Sequence, residues 1–427
     1  LAEINGKDGA MMDFVCAFIG ARESVDKLYD KSFSPKFKQI LSAYTLACNN
    51  YIKAHPEEKI MNDLLPITEK DIIVGYTMGL ALMTNVPFAI MKISNGAFGH
   101  SSIATPRGSN AFAVNSHKTK DGNTYLGINS HQPLEGPYSW YEAHLHSEEG
   151  WNILGGTFPG GVTIFHGVNE NLGWAHTVSF ADHDDIYKLT MHPKEKLKYR
   201  FDGKWLTLKK KKIRMWVKIF WIIKIPVTKK FYESVYGPVL EKDGQYFAVR
   251  FPSAFDIRGA EQWYHMNKAK NFNEFQDALK EAAMPGLNIV YADKDDNIMF
   301  IDNGQFPKKD KHYDWWHLLP GDTSTTLWKA NDYYPYDSLA KVINPKCGYV
   351  FNNNNTPFNC TAKEDNLNRN THPLKDFYFA YNDNRSLRTS YLFAHSGKLS
   401  YDDFKAIKYD QQFMNPAYNY AMVNIEE

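Results

Sequence analysis

Between residues 11 and about 90 the apolar positions recur every three to four residues; from residue 109 onward they alternate. The first pattern belongs to helices with one buried stripe, the second to strands with one buried face. Ser34-Pro35 sets an N-cap hydroxyl before a proline at the first helical position. Phe37, Ile40, Leu41, Tyr44, Cys48, Tyr51 and Ile52 then predict a helix through Lys53. Thr68-Glu69-Lys70-Asp71 predicts a second start, a capping box with Asp in the Glu position, leading into residues 72–83. Residues 109–116 and 124–128 read as strands flanking the turn Asp121-Gly122-Asn123. Residues 162–167 and 173–178 form a second pair, and 186–191 and 199–205 extend the sheet. The run Lys209-Lys210-Lys211-Lys212 reads as a solvated edge that discourages pairing. Asn271 and Ser400 cap two later helices, and 288–292 with 297–302 predict a hairpin. Residues from there to about 384 read as loop-rich. The chain thus divides into a helical region 1–94, a Gly-, Ser- and Asn-rich connector 95–108, and a β-rich region 109–427. A connector of that composition is exposed, as processing sites are.

The change of period falls at Thr105-Pro106-Arg107-Gly108-Ser109-Asn110. A serine hydroxyl directly after a glycine can attack the preceding carbonyl in an N-to-O acyl shift. Cleavage there makes Ser109 an N-terminus. The freed α-amino group has a pKa of ~8 against ~10.4 for lysine, so it is a usable base near neutral pH. One residue then carries nucleophile and base together. Most Gly-Ser pairs are plain turns, so the reading depends on other residues.

Composition narrows the field. A net charge of +1 supplies no field to draw nucleic acid or an anionic membrane. No stretch predicts a membrane span, because the most apolar run, residues 215–226, carries Lys218 and Lys224. The 15% aromatic content suits a β-rich protein, or one with an aromatic binding surface. Cys16, Cys48, Cys347 and Cys360 lack metal-binding spacing. Cys347 and Cys360 bracket four consecutive asparagines, and a disulfide between them is expected to close that loop, the alternative being two reduced, partly buried thiols.

Four sites downstream of Ser109 carry candidate chemistry. His131 follows a strand at a turn, where a side chain is both rigid and accessible, although alone it reads equally as a surface histidine. Residues 174–178 end a strand whose Val178 N–H can face a substrate oxygen, or is plain sheet. Asn352-Asn353-Asn354-Asn355 disfavour helix and strand, and an amide there can donate to an oxyanion or merely shape a loop. Arg385, in Asn382-Asp383-Asn384-Arg385, can orient that loop or sit in a solvated turn.

Ser109-Asn110-Ala111 after Gly108, Asn129-Ser130-His131 and Trp140-Tyr141-Glu142-Ala143-His144-Leu145 together resemble the penicillin acylase family of N-terminal-nucleophile hydrolases. Pro159-Gly160-Gly161, Trp174-Ala175-His176-Thr177, residues 288–293, 344–355 and 383–385 are similar too, in order and spacing. The resemblance implies an α+β fold, a four-layer αββα sandwich with two stacked antiparallel sheets. It implies Ser109 as a nucleophile freed by self-cleavage after Gly108, with His131 beside it. It implies Val178 N–H and Asn354 as oxyanion donors, and Arg385 near the site. Asp182 and Asp185 match a calcium-binding stretch, although that acidic cluster reads equally as a solvated turn; no organic cofactor is implied. The expected activity is hydrolysis of a linear amide in an N-acylated small molecule. The expected product of cleavage is an α/β heterodimer from one periplasmic or secreted precursor, with further chain before Leu1 and beyond Glu427. The aromatics Trp140, Tyr141, Phe165 and Trp174 suggest an apolar acyl group. Two other readings stand beside this: a non-catalytic protein that binds glycans or peptides, and a family member that never matures.

Overall fold

The structure, a computed structural model, describes residues 1–59, 65–84, 86–96, 98, 108–220, 223–379 and 382–414. Helices come first: α1 (Ala2–Ile19), α2 (Ala21–Ser32), α3 (Pro35–Ala54), α4 (Glu69–Met83) and α5 (Val86–Asn95). The capping chemistry sets their starts. Ser34 accepts the Phe37 N–H, and Thr68 and Asp71 cap each other's backbone reciprocally. Most of the expected connector, residues 97 and 99–107, lies outside the described residues.

Strands follow: β1 (Ser109–Val114), β2 (Tyr125–Ser130), β3 (Tyr141–Ser147), β4 (Trp151–Thr157), β5 (His166–Val168), β6 (Leu172–Val178) and β7 (Asp185–Lys188). Next come β8 (Lys198–Phe201), β9 (Lys204–Thr207), β10 (Lys209–Lys218), β11 (Lys224–Glu233), β12 (Pro238–Lys242) and β13 (Gln245–Arg250). Helices α6 (Gly259–Lys268) and α7 (Phe272–Lys280) precede β14 (Leu287–Asp293), β15 (Ile298–Asn303), β16 (Leu319–Pro320), β17 (Lys341–Ile343) and β18 (Tyr349–Asn352). Helices α8 (Asn384–His395) and α9 (Tyr401–Lys408) end the described chain.

Two sheets stack at the centre. The smaller runs β18-β1-β2 and the larger β17-β15-β14-β6-β5-β4-β3. Strand alternation sends successive side chains to opposite faces. Ala111, Ala113 and Val350 therefore face Ala175, Val290 and Phe300 of the other sheet. Phe112, Val114, Tyr349 and Phe351 point outward, against Phe393 of α8 and Phe404 of α9. On the far side, Trp174, Ile289, Tyr291, Met299 and Ile301 are covered by Trp263 and Met266 of α6 and Phe275 and Leu279 of α7. Each such large side chain contributes about 1.5–3 kcal/mol by leaving water. The result is four layers, helix–sheet–sheet–helix, an αββα sandwich of α+β class.

A third sheet, β10-β11-β12-β13-β7-β16, stands beside the sandwich. Here the lysine run departs from expectation. It occupies a sheet edge, yet β10 pairs with β11 from Lys209↔Glu233 to Lys218↔Lys224. The reason is that Ile213, Met215 and Val217 alternate with the charges and pack against Ala2 and Ala10 of α1. Among the described residues no single helix is long and apolar enough to cross a membrane.

The expected disulfide is not formed. Cys347 and Cys360 are both free thiols. Cys360 is buried among the residues between the two central sheets, whereas Cys347 Sγ lies 3.0 Å from Thr361 Oγ1. The loop is closed instead by hydrogen bonds, Phe351 N–H to Cys360 O at 2.8 Å among them.

Candidate active site

Ser109 opens β1 and is 3% exposed. Its hydroxyl donates to the Gly108 carbonyl oxygen at 2.6 Å, so the expected nucleophile lies against the bond it is expected to cut. β1 pairs with β2 as Ser109↔Ser130, and this brings His131, one residue past the strand, beside Gly108. A Cβ placed on Gly108 would stand 2.3 Å from His131 Nδ1. What the structure asks of residue 108 is therefore room for the imidazole. Relieving such an overlap costs about 1–3 kcal/mol. Gly108→Ala is accordingly expected to slow self-cleavage by about tenfold or more, read as persistence of the intact chain on a denaturing gel. Cleavage at the wild-type rate would show that His131 is free to move aside.

Burial, and secondarily the positive Arg385, lower the His131 pKa from its ordinary value. The ring is therefore neutral around pH 7 and available as an acceptor.

Arg385 ties the site together. It sits in the first turn of α8, whose N-cap is Asp383. Its Nε donates to Asp383 Oδ2 at 2.9 Å. Nη1 donates to Ser109 O at 2.7 Å and to Asn110 Oδ1 at 2.9 Å. Nη2 donates to Asn353 O at 2.8 Å and Asn354 Oδ1 at 3.1 Å. One planar guanidinium thus joins β1 to the asparagine loop, in a geometry that lysine does not offer.

Each asparagine of the loop has its own task. Asn352 Oδ1 accepts from Thr177 Oγ1 at 2.5 Å and from the Asn354 N–H at 2.9 Å. Asn353 Nδ2 donates to Asn110 Oδ1 at 2.6 Å, and Asn355 Nδ2 to Asn359 O at 2.6 Å. Asn354 has φ +66°, a left-handed conformation that asparagine tolerates better than most residues. Its Oδ1 faces Arg385, so its Nδ2 faces the other way and donates to Val178 O at 3.0 Å. An amide nitrogen carries two hydrogens, which leaves one for a ligand. Val178 ends β6, pairing with Leu287 of β14, and is only partly buried, unlike Thr177 before it.

The structure therefore brings Gly108, Ser109, His131, Val178, Asn354 and Arg385 into one connected set. Sequence reasoning missed several supports. Asn110 accepts from both Arg385 and Asn353. Trp140 Nε1 donates to Ser130 O at 2.8 Å, and Asn288 Nδ2 to Val178 O at 3.2 Å. A fully polar residue within the apolar strand β14 was a usable signal for Asn288; Trp140 was singled out for its apolar ring, and nothing in the pattern pointed to its indole N–H as a donor to Ser130.

Of the four aromatics expected near an acyl pocket, Trp174 is fully buried against Phe275 on the helix side, and Tyr141 is exposed on the edge strand β3. Trp140 is half-buried, stacks on Phe158 at 4.7 Å, and packs against Phe165 at 5.5 Å. Trp140 and Phe158 are the apolar surface tied most directly to the nucleophile strand pair.

Asp182 lies in the segment after β6 and Asp185 opens β7, and the residues around them do not fit a resident calcium ion. Lys309 Nζ occupies the space between the two carboxylates, 2.8 Å from Asp182 Oδ2 and 2.9 Å from Asp185 Oδ1.

A serine at the head of an inner strand, in a four-layer αββα sandwich, is the arrangement of an N-terminal-nucleophile hydrolase. The chain belongs to the penicillin amidase family, whose model matches residues 1–421. It is 29% identical over 264 residues to the acyl-homoserine lactone acylase PvdQ of Pseudomonas fluorescens, covering 57% of this chain and 34% of that one. It is 28% identical over 225 residues to the penicillin G acylase of Escherichia coli, covering 51% and 25%. The matches thus span about a third or less of these relatives' length. A thermostable penicillin G acylase from Alcaligenes faecalis shares the fold, with a TM-score of 0.57 at 23% identity, over 70% of this chain and 51% of that one.

Proposed function

We propose that this chain carries the nucleophile of a self-processing acylase, a hydrolase that cleaves the linear amide of an N-acylated small molecule. The observation that carries the reading is the 2.6 Å contact between Ser109 Oγ and the carbonyl oxygen of the peptide bond preceding it. In self-processing, Oγ adds to the Gly108 carbonyl carbon, the C–N bond breaks, and the chain is joined by an ester with a free α-amine on Ser109. Water hydrolyses the ester, leaving two chains. In turnover, the α-amine takes the Oγ proton, directly or through water, as Oγ attacks the substrate carbonyl. The Val178 N–H and the second Asn354 Nδ2 hydrogen receive the oxyanion, the amine leaves with a proton, and water releases the acid. Arg385 holds the β1 backbone and the Asn354 amide in register. His131, neutral and against Gly108, orients the new amine.

Support for an acylase over a binding protein lies in that convergence, since binding requires no hydroxyl against its own peptide bond. The half-buried Trp140 and Phe158 favour an apolar acyl group. The test is hydrolysis of a panel of acyl-homoserine lactones, penicillins and N-acyl amino acids of increasing acyl length. Each buried CH₂ contributes about 0.8 kcal/mol, so kcat/KM is expected to rise about tenfold or more per added pair of carbons and then level. No hydrolysis of any member by cleaved protein would remove the proposal; a flat length series would remove the apolar pocket alone.

The pH profile carries a further expectation. The α-amine must be neutral, giving an acid-side limb near its ordinary ~8. His131 must be neutral too, and its lowered pKa puts a second limb below the ordinary ~6.5. The slope of log kcat/KM against pH should steepen from one to two below that point. His131→Gln should keep the first limb and lose the second; an unchanged profile would remove His131 from the mechanism.

A further inference from the structure

The segment that follows the oxyanion strand is pinned by a buried ammonium. Lys309 lies in the connection between β15 and β16, and its side chain is 6% exposed. Its Nζ reaches three oxygens: Asp182 Oδ2 at 2.8 Å, the Asp182 main-chain O at 3.0 Å and Asp185 Oδ1 at 2.9 Å. An ammonium has three hydrogens, so every donor is used. The remaining oxygen of Asp185 accepts the Trp328 indole N–H at 2.6 Å. The rings of Trp315 and Phe377 stand 5.1 and 5.0 Å from Nζ and close the site on the other sides. Asp184, between the two paired carboxylates in sequence, is 9% exposed and lies beside the Thr84 hydroxyl.

Two carboxylate oxygens and a carbonyl oxygen, all hard donors converging on one point, are what a calcium ion takes. The point is already filled by a cation that is part of the chain. We infer that Lys309 is the resident cation of this site, so that the Asp182–Asp185 segment is held without a divalent ion, and that a latent calcium site lies beneath its side chain. A calcium ion and an ammonium cannot share the position, because each would repel the other while competing for the same oxygens. The consequence is a tether between the β6–β7 and β15–β16 connections that a chelator cannot remove. Lys309→Ala withdraws the charge and the three stem carbons beyond Cβ together. It leaves the two paired carboxylates and a carbonyl around a space, with Asp184 close by in the chain.

The experiment uses the purified chain and its Lys309→Ala variant, with elemental analysis and thermal melts in EDTA and in millimolar calcium chloride. The wild type is expected to hold no calcium above the buffer blank and to melt at the same temperature in both. The variant in EDTA is expected to melt about 5 °C lower or more, since a buried carboxylate pair has lost its partner. Calcium, but not sodium at equal ionic strength, should restore most of that loss with one ion bound per chain. Stoichiometric calcium in the wild type, a wild-type melting temperature that falls in EDTA, or a variant indifferent to calcium would each overturn the inference. If the variant does not accumulate as folded protein, refolding it from denaturant decides. Recovery only in calcium supports the latent site, and equal failure with calcium and EDTA overturns it.

Discussion

Ser109→Ala is expected to remain one unbroken chain and to hydrolyse no amide. The effect is large because two separate events use the same oxygen. The hydroxyl stands 2.6 Å from the Gly108 carbonyl oxygen, and without it no other group in the connected set is placed to begin an acyl shift. Without the shift there is no free α-amine, so the variant lacks the base as well as the nucleophile. The loss should reach the detection limit in both readouts, intact mass and turnover, while the melting temperature changes little, since among the described residues the Ser109 hydroxyl makes one local hydrogen bond. Ser109→Cys separates the two roles. A thiol can make the same shift, so part of the protein should cleave, yet turnover of amides should be poor. A Ser109→Ala protein that cleaves normally would place the scissile bond elsewhere.

Asn354→Gly is expected to lower kcat by about 10²–10³-fold, some 3–4 kcal/mol, because a preorganised donor to the developing oxyanion is gone. KM should change much less, since the donor is worth most when charge has formed. Glycine is the informative substitution here. At φ +66° an alanine adds backbone strain of roughly 1–2 kcal/mol, whereas glycine does not. Asn354→Ala should therefore match the glycine variant in kcat and melt lower. The side chain also accepts from Arg385 and donates to Val178 O, so some loosening of the β6 end accompanies either change. A fall confined to KM would mean that Asn354 binds substrate and does not stabilise the oxyanion.

The parts of this fold that were legible in the sequence are those decided locally. Ser34, Thr68, Asn271 and Ser400 each bond to a backbone N–H three residues on, so the cap and its helix are written together. The β14–β15 hairpin follows from the short turn at residues 294–297 between two apolar runs, and the β1–β2 pair from residues 115–124, which hold Asp121-Gly122-Asn123. Strand β18 was not legible, although it is the other neighbour of β1. It has four residues, and its last, Asn352, belongs by composition to the loop after it. The pairing of Lys209 with Glu233 shows the same limit: the contact with α1 that holds β10 in place is made by residues about 200 positions away. The candidate site was legible as a set of residue types through its family resemblance, but its wiring was not. Arg385 reaches Ser109 across 276 residues, and Lys309 reaches Asp182 across 127, and no local pattern records either. For Asp182 and Asp185 this matters chemically, since the carboxylates suggested a metal and their partner proved to be a lysine.

The central claim is that Ser109 becomes an N-terminus and acts as one. N-terminal sequencing of enzymatically active protein tests it most directly, with Ser109→Ala run beside it. The account predicts a chain beginning Ser-Asn-Ala-Phe-Ala in the active protein and none in the variant. Active protein in which no chain begins at Ser109 would contradict it.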